Sequence, residues 1–217
     1  MPASCCKPDY DAVFGDRTAR REIASYRRSG PRGSTRRLLE AISAAGAANA
    51  SVIDIGGGVG VIGLELLAAG ADSLTDVDAS RPYLETARAE VTRRGWGSRA
   101  TFLHGDFVQL SGDLHAADIV TLDRVICCYG DWRALVDASV SKAHRLYGIV
   151  LPNERWWMRL GIGLPNLALR LFGQSFRAYV HPERAIDERI RKAGFTVRSH
   201  HRGWIWQTVL YERPAAA

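Results

Sequence analysis

Hydrophobic residues along the chain change their spacing several times, and each change marks a predicted element. Ser51–Ile55 reads SVIDI, an apolar run rich in β-branched residues that is typical of a strand buried on both faces of a parallel sheet. A glycine-dense turn follows, and from Gly60 the apolar positions take helical spacing until Gly70. The pattern predicts a strand, a glycine turn and a helix joined in one ligand-binding unit.

The same alternation of short apolar runs and helical patterns continues through the chain. Strands are predicted at Ser51–Ile55, Ser73–Val77, Ala100–Leu103, Asp118–Leu122, Leu146–Leu151, near Phe195–Arg198 and at Trp204–Tyr211. Strands that alternate with helices indicate a parallel sheet covered on both faces. A tight return before the last strand predicts that this strand runs antiparallel. We therefore predict a doubly wound α/β fold with a mostly parallel, seven-stranded sheet and a closing antiparallel strand.

Amphipathic helices are predicted before and inside this core. Residues 9–30 are predicted as one helix with Ile23 and Tyr26 on its inner face, and a second helix begins after Gly33–Ser34. We interpret the two as a helical lid, or as plain packing on the sheet. Residues 153–173 carry leucines on one face and arginines on the other. They predict an inserted helical cover, which would be a substrate lid, edge packing or a membrane-surface contact.

Length and composition fit a single domain of 217 residues, with 24% charged and 47% hydrophobic residues. We divide it into a helical cap at 1–46, a core at 50–151, a helical cover at 153–181 and a closing helix and strand pair at 182–213. The first residues lack the apolar core of a signal peptide, and no run reaches the roughly 18 apolar residues of a membrane span. A cytoplasmic protein is the simplest interpretation.

The charge distribution and the cysteine spacing limit which classes of binding partner and disulfide pattern are expected. The net charge of +6 comes largely from arginines between positions 17 and 37. No nucleic-acid-binding motif accompanies them, so they predict a solvated helix face or a surface for an anionic substrate rather than a nucleic-acid site. Four cysteines lie in the adjacent pairs Cys5–Cys6 and Cys127–Cys128, unlike the dispersed pattern of a disulfide framework.

The glycine turn is suited to a polar ligand, because glycines keep no side chain between ligand and main chain and the helix start presents free N–H groups. Gly58, Gly60 and Gly63 fit the GxGxxG pattern of dinucleotide sites, whereas Gly56, Gly58 and Gly60 fit GxGxG. Asp54 favours the second pattern. A carboxylate beside the turn suits a ligand with an ammonium and a sulfonium better than it suits a pyrophosphate.

Two further acids follow at the ends of the next strands. Asp78 ends the second strand, where an acid about twenty residues beyond the glycines can accept hydrogen bonds from ribose hydroxyls. The alternative, that Asp78 caps the next helix, is weakened because Ser80 can serve as that cap. Asp106 follows the third strand; a loop aspartate is often a turn residue, but its register behind Asp54 and Asp78 favours a cofactor contact.

The segment DIGGGVG at 54–60, the acid Asp78 and the Gly-Asp pair before Phe107 resemble the motifs of class I S-adenosylmethionine (SAM) methyltransferases. The resemblance covers residues 50–151 closely and the ends loosely. It implies that Asp54 and the glycines hold the methionine end of SAM and that Asp106 accepts from the adenine amino group. The cofactor-binding residues implied are Asp54, Gly56, Gly57, Gly58, Gly60, Asp78, Ala79, Asp106, Phe107 and Leu122.

The acceptor is expected at the carboxyl end of the fourth strand. Tyr129 and His181 are the candidate catalytic residues that position the acceptor or take its proton, His181 because imidazole titrates near neutrality. Proximity alone is the alternative, since methyl transfer is an in-line displacement that mainly needs positioning. No metal is required. The residues predicted to bind the acceptor are Tyr10, Cys127, Cys128, Trp156 and Trp157.

Cys127 and Cys128 replace the polar or histidine residues that many family members carry at this place. Thiols there could bind a soft metal or metalloid, or could be buried apolar residues. Adjacent residues of a strand point to opposite faces, so we expect at most one thiol of the pair to reach a common ion.

These features predict a SAM-dependent methyltransferase that acts on a small aromatic or anionic molecule. A weaker resemblance of the N-terminal helices and the C-terminal end to magnesium-protoporphyrin O-methyltransferases implies a flat dianionic acceptor as an alternative. Two other classes remain open. Asp54 and Asp106 argue against an NAD-dependent oxidoreductase, and the inserted cover argues against a non-catalytic SAM-binding or metal-sensing protein.

Overall fold

The computed structural model describes residues 10–155 and 177–214. Its strands are β1 Ser51–Ile55, β2 Ser73–Asp78, β3 Ala100–His104, β4 Ala117–Asp123, β5 Ala143–Pro152, β6 Thr196–Arg202 and β7 Trp206–Glu212. They form one seven-stranded sheet in the order β3-β2-β1-β4-β5-β7-β6. The first five strands are parallel, and β7 runs antiparallel between β5 and β6. The predicted doubly wound fold and its closing antiparallel strand are confirmed.

Helices cover both faces of the sheet. They are α1 Tyr10–Val13, α2 Asp16–Ser29, α3 Gly33–Ala45, α4 Val61–Ala68, α5 Arg81–Arg93, α6 Phe107–Leu110, α7 Trp132–Val140 and α8 Glu183–Lys192. One apolar cluster joins α2, α3, α4 and α5 to the sheet, and a second joins α6, α7 and α8 to the opposite face. Within the two described ranges, no helix is long and apolar enough to cross a membrane.

The N-terminal region differs from the single helix predicted over residues 9–30. It forms α1 and α2, which are separated at Phe14 and Gly15. A Cβ at Gly15 would lie 2.9 Å from the carbonyl oxygen of Asp11, so a side chain does not fit where the chain turns. Ile23 and Tyr26 are buried as predicted. From residue 156 onward, the predicted cover at 153–173 lies outside the described residues.

Hydrogen bonds hold the N-terminal helices α1 and α2 beside the carboxyl end of β2. The backbone N–H of Arg81 donates to Asp11 Oδ1 at 2.9 Å, and Ser80 Oγ donates to the carbonyl of Phe14 at 2.8 Å. The Tyr83 hydroxyl donates to Glu22 Oε1 at 2.9 Å. These bonds hold α1 and α2 at the sheet edge that carries the predicted ligand-binding acids.

Candidate active site

The glycine turn joins β1 to α4 in a conformation that only glycine adopts easily. Gly56, Gly58 and Gly60 have φ values of +62°, +60° and +80°. A Cβ on Gly56 would lie 2.6 Å from a methyl group of Val125. The turn therefore passes directly against the loop that follows β4, and the first N–H groups of α4 face the same sheet edge.

Asp78 links this turn to the start of α5. Its Oδ2 accepts from the backbone N–H of Gly58 at 2.9 Å, and its Oδ1 accepts from the N–H of Ser80 at 2.7 Å. Ser80 is the residue that caps α5, through a bond from the N–H of Tyr83. Burial raises the pKa of Asp78 to about 6. The carboxylate thus sits between the glycine turn and the helix start.

Asp54 points into the interior beneath the turn rather than toward open solvent. It is 1% exposed, and its Oδ1 accepts from the Thr121 hydroxyl at 2.7 Å. Its Oδ2 has no hydrogen-bond partner in the described ranges. Burial raises the pKa of this carboxyl above its ordinary range.

Asp76 is a site residue that the sequence interpretation missed. It faces Asp54 in the register between β1 and β2, it is fully buried, and both of its oxygens lack a partner among the residues the structure describes. A Cβ on Gly57 would lie 2.6 Å from Asp76 Oδ1 and 3.0 Å from Asp54 Oδ2. Burial, followed by repulsion from Asp54, raises the pKa of Asp76 well above its usual range.

A signal for Asp76 was present in the sequence. It stands two positions before Asp78 in an apolar strand, so both side chains lie on the same face. The result is a buried acid pair, Asp54 and Asp76, of which three oxygens beneath Gly57 have no partner among residues 10–155 and 177–214. Such a pair can share a proton or interact with a cationic group above it.

Asp106 has two protein partners in the structure. Its Oδ1 accepts from the N–H of Val108 and so caps α6, and its two oxygens lie 3.0 and 3.1 Å from the Tyr129 hydroxyl. Phe107 is buried behind it. The carboxylate is therefore oriented by both the helix start and the loop after β4.

Ala79 and Leu122, also predicted as cofactor residues, lie in different surroundings. Ala79 is half-buried beside Asp78, and its carbonyl lies 3.1 Å from His104 Nε2. Leu122 is fully buried inside the second apolar cluster. Its side chain presents no surface to a ligand.

Aromatic rings gather where β4 ends. The Tyr10 hydroxyl lies 3.5 Å from the carbonyl of Cys128, and the N–H of Tyr179 donates to the carbonyl of Cys127 at 2.7 Å. The rings of Tyr179 and His181 stack with centroids 5.3 Å apart. Burial raises the pKa of Tyr10 to about 12, so the phenol is neutral at physiological pH. These rings form a wall beside the cysteine pair.

The two candidate catalytic residues are held by hydrogen bonds. His181 Nε2 lies 3.0 Å from the carbonyl of Tyr129, and burial lowers the pKa of this imidazole. The Tyr129 hydroxyl is bonded to Asp106, and burial together with that carboxylate raises the pKa of the phenol. Both side chains are neutral at pH 7, and their catalytic roles stay predictions. Trp156 and Trp157 lie outside the described residues.

A sheet of this order, with a glycine turn after β1 and acids at the ends of β2 and β3, agrees with the SAM methyltransferase fold that the sequence motifs imply. Residues 52–146 match a family model described as a methyltransferase domain. The match identifies a methyltransferase domain within the chain, and it supports a SAM-dependent methyltransferase. Comparison with curated proteins found no match.

Solved structures show the same fold at low identity. Magnesium protoporphyrin IX methyltransferase from Synechocystis PCC 6803 with bound SAH is 19% identical, with a TM-score of 0.63 over 98% of this chain and 90% of that one. Its structure with bound SAM is 18% identical over 94% and 89%, with a TM-score of 0.65. An O-methyltransferase family protein from Burkholderia thailandensis is 17% identical over 95% and 63%, with a TM-score of 0.69.

Proposed function

We propose that this enzyme transfers the methyl group of SAM to a small aromatic acceptor that carries an acidic group. The observation that carries the proposal is the wall of Tyr10, Tyr179 and His181 beside the end of β4, at the same sheet edge as the glycine turn. Aromatic side chains hold a flat ring by stacking. The net charge of +6 favours an anionic acceptor.

The residues at the sheet edge fit SAM as the cofactor. Asp78, at the end of β2, would accept hydrogen bonds from the ribose hydroxyls, and Asp106 would accept from the adenine amino group, as the resemblance implies. The buried pair Asp54 and Asp76 places two carboxyl groups beneath the glycine turn, and a cationic group such as the ammonium or sulfonium of the methionine end would favour their ionised form. The positive φ values of the turn leave backbone N–H groups clear of side chains.

The protein's own contribution to the reaction is positioning. When bound, SAM supplies an electrophilic methyl group on a sulfonium. Tyr10 and Tyr179 orient the acceptor ring, so that its nucleophilic atom lies in line with the bond that breaks. An acidic acceptor arrives already deprotonated, which fits the neutral His181 and Tyr129 that surround it.

A second candidate acceptor is a porphyrin-like carboxylate. The likeness to magnesium protoporphyrin IX methyltransferase extends over 98% of this chain, including its N-terminal helices and its closing strands. In this proposal the acceptor is a flat dianion and the methylated atom is a carboxylate oxygen. Both candidates share an aromatic plane and negative charge.

Acceptor screening with methyl-labelled SAM tests the proposal. We expect aromatic acids to accept the label, and aliphatic acids of equal charge to remain unlabelled. Tyr179→Leu should raise the KM for the aromatic acceptor, because it removes a stacking partner worth about 0.5–1.5 kcal/mol. Trp96→Leu, at the amino edge of the sheet before β3, is the control. Equal labelling of aliphatic acids would refute the aromatic acceptor.

A further inference from the structure

Cys127 and Cys128 converge in the structure, which differs from the opposite orientations expected of strand residues. They lie on a single 3-10 turn, Ile126–Cys128, and their sulfur atoms are 3.8 Å apart. Both thiols are free; Cys127 is buried and Cys128 is partly exposed. A disulfide needs sulfurs about 2.05 Å apart, so the pair is a dithiol.

An uncommon backbone conformation just before the 3-10 turn accompanies the close approach of the two thiols. Arg124 has a φ of +63°, an uncommon value for a residue with a side chain. Its carbonyl accepts from Cys127 Sγ at 3.2 Å and from Cys128 Sγ at 3.6 Å. Both thiols therefore point to the same backbone carbonyl oxygen. Non-glycine residues in this conformation cluster at functional sites, where surrounding structure holds them.

The electrostatic surroundings of the two thiols differ. The hydrogen bond from Cys127, followed by the positive charge of Arg124, lowers the pKa of the Cys128 thiol. The same contact and burial raise the pKa of Cys127. Cys128 therefore loses its proton more readily than Cys127, and a thiolate is the form that attacks a soft electrophile.

The number of sulfur donors limits which metal or metalloid centre the cysteine pair can bind. A structural zinc site needs four protein ligands, and among the described residues no group of three potential metal ligands occurs. Two sulfurs complete the coordination of a trivalent centre that already carries one carbon substituent. Trivalent organoarsenic compounds have this valence and prefer thiolate ligands, as soft centres do.

We propose that Cys127 and Cys128 form a chelating site for trivalent organoarsenic compounds of the type R–As(OH)2. Two As–S bonds form and two As–O bonds break, and each thiol proton leaves in one of two water molecules. No electron is transferred, so no oxidant or reductant is needed. The site uses none of the acids that fit SAM, and it adjoins the aromatic wall through the backbone carbonyls that Tyr10 and Tyr179 contact.

Binding of phenylarsine oxide to the full chain, measured by calorimetry without SAM, tests this site. The background variant is Cys5→Ser/Cys6→Ser, which removes the other pair. We expect one equivalent to bind, with loss of two titratable thiols and release by 2,3-dimercaptopropanol. Adding either Cys127→Ser or Cys128→Ser should weaken binding roughly 100-fold, because one sulfur loses the chelate effect.

Unchanged binding in either single-cysteine variant, or no binding to the background variant, would overturn the proposal. Cys127→Ala and Cys128→Ala, checked for folding by thermal unfolding, serve as a second set in case a buried serine destabilises the turn. The assay contains no SAM and no acceptor. Its outcome is therefore independent of the methyltransferase reaction proposed above.

Discussion

Asp76 is buried between β1 and the glycine turn with no partner for either oxygen within the described ranges. Its closest acidic neighbour, Asp54, faces it across the sheet register. A second negative charge in this place is unfavourable, because burial removes the solvation that would offset it. Asp76 therefore favours its protonated form, as the raised pKa indicates.

Asp76→Asn should change how stability depends on pH. A carboxyl whose pKa is raised in the folded state contributes stability below its unfolded pKa, and that contribution is lost as pH rises through the folded pKa. Asparagine does not ionise, so its contribution to stability does not fall as the pH rises. We expect urea unfolding to show the variant more stable than wild type by at least about 1 kcal/mol at pH 8, with a smaller difference at pH 5.

Asp118→Asn is the matched control with the opposite sign. Asp118 accepts from the N–H and hydroxyl of Ser51, and these bonds outweigh burial and lower its pKa. Its removal should destabilise the protein at pH 8 and have less effect as pH falls through the carboxyl range. Parallel stability curves for wild type and Asp76→Asn would contradict the raised pKa of Asp76.

At the residue scale, sequence reasoning placed acids correctly along strands but could not assign their partners. Asp78 and Asp106 lie at strand ends because the strand pattern ends there. The contact of Asp76 with Asp54 depends on the register between β1 and β2, and the convergence of the two cysteine thiols depends on the backbone of Arg124. Neither can be derived from local sequence spacing.

A buried glutamate joins the N-terminal helices to the core. The carboxylate of Glu90 on α5 is fully buried, and its oxygens accept from Arg27 on α2 and from Arg93 and Arg94. The distance from Arg27 Nη2 to Glu90 Oε2 is 2.6 Å. Hydrogen bonds from Arg93, followed by those from Arg27, lower the pKa of Glu90 to about 2. This cluster fixes the position of α2 against α5.

Glu90→Gln should destabilise the protein by about 1–2 kcal/mol at pH 7, because the glutamate is buried but its arginine partners are partly exposed, which weakens the ion pairs. A lowered carboxyl pKa contributes stability above the unfolded pKa, and this is lost as pH falls toward the folded value near 2. The difference in unfolding free energy should therefore shrink between pH 5 and pH 3. Denaturant unfolding at each pH measures it.

Glu85→Gln is the control for that measurement, since Glu85 is exposed on the same helix. It should change the unfolding free energy by less than about 0.5 kcal/mol. A loss at Glu90 no larger than the loss at Glu85 would show that the arginine cluster does not hold α2 in place.

At the element scale, the hydrophobic pattern predicted every strand of the sheet, with ends within a few residues. The break between α1 and α2 was missed, because helical spacing continues across Gly15 and the turn depends on its contact with Asp11. β5 is longer than predicted, Ala143–Pro152 rather than Leu146–Leu151, because pairing with β4 and β7 extends beyond its most apolar residues.

At the scale of the whole molecule, the strand order determines where a ligand can bind. The chain places β1, β2 and β3 in one direction from the centre and β4 and β5 in the other, so the sheet order reverses beside β1. Ligands bind in the crevice at such a reversal, outside the carboxyl ends of the strands. Hydrophobic periodicity predicted the strands but not their order, because the order depends on contacts between residues far apart in the chain.

Calorimetric titration of SAM into wild type, Asp78→Ala and Asp72→Ala tests the central claim, that the cofactor binds at this carboxyl edge. Asp72 is exposed at the opposite, amino end of β2 and is the matched control. We expect wild type and Asp72→Ala to bind SAM equally and Asp78→Ala to lose roughly 1.5–3 kcal/mol of binding free energy. Binding of NADH but not SAM, or equal SAM affinity in all three proteins, would contradict the claim that SAM binds at this edge of the sheet.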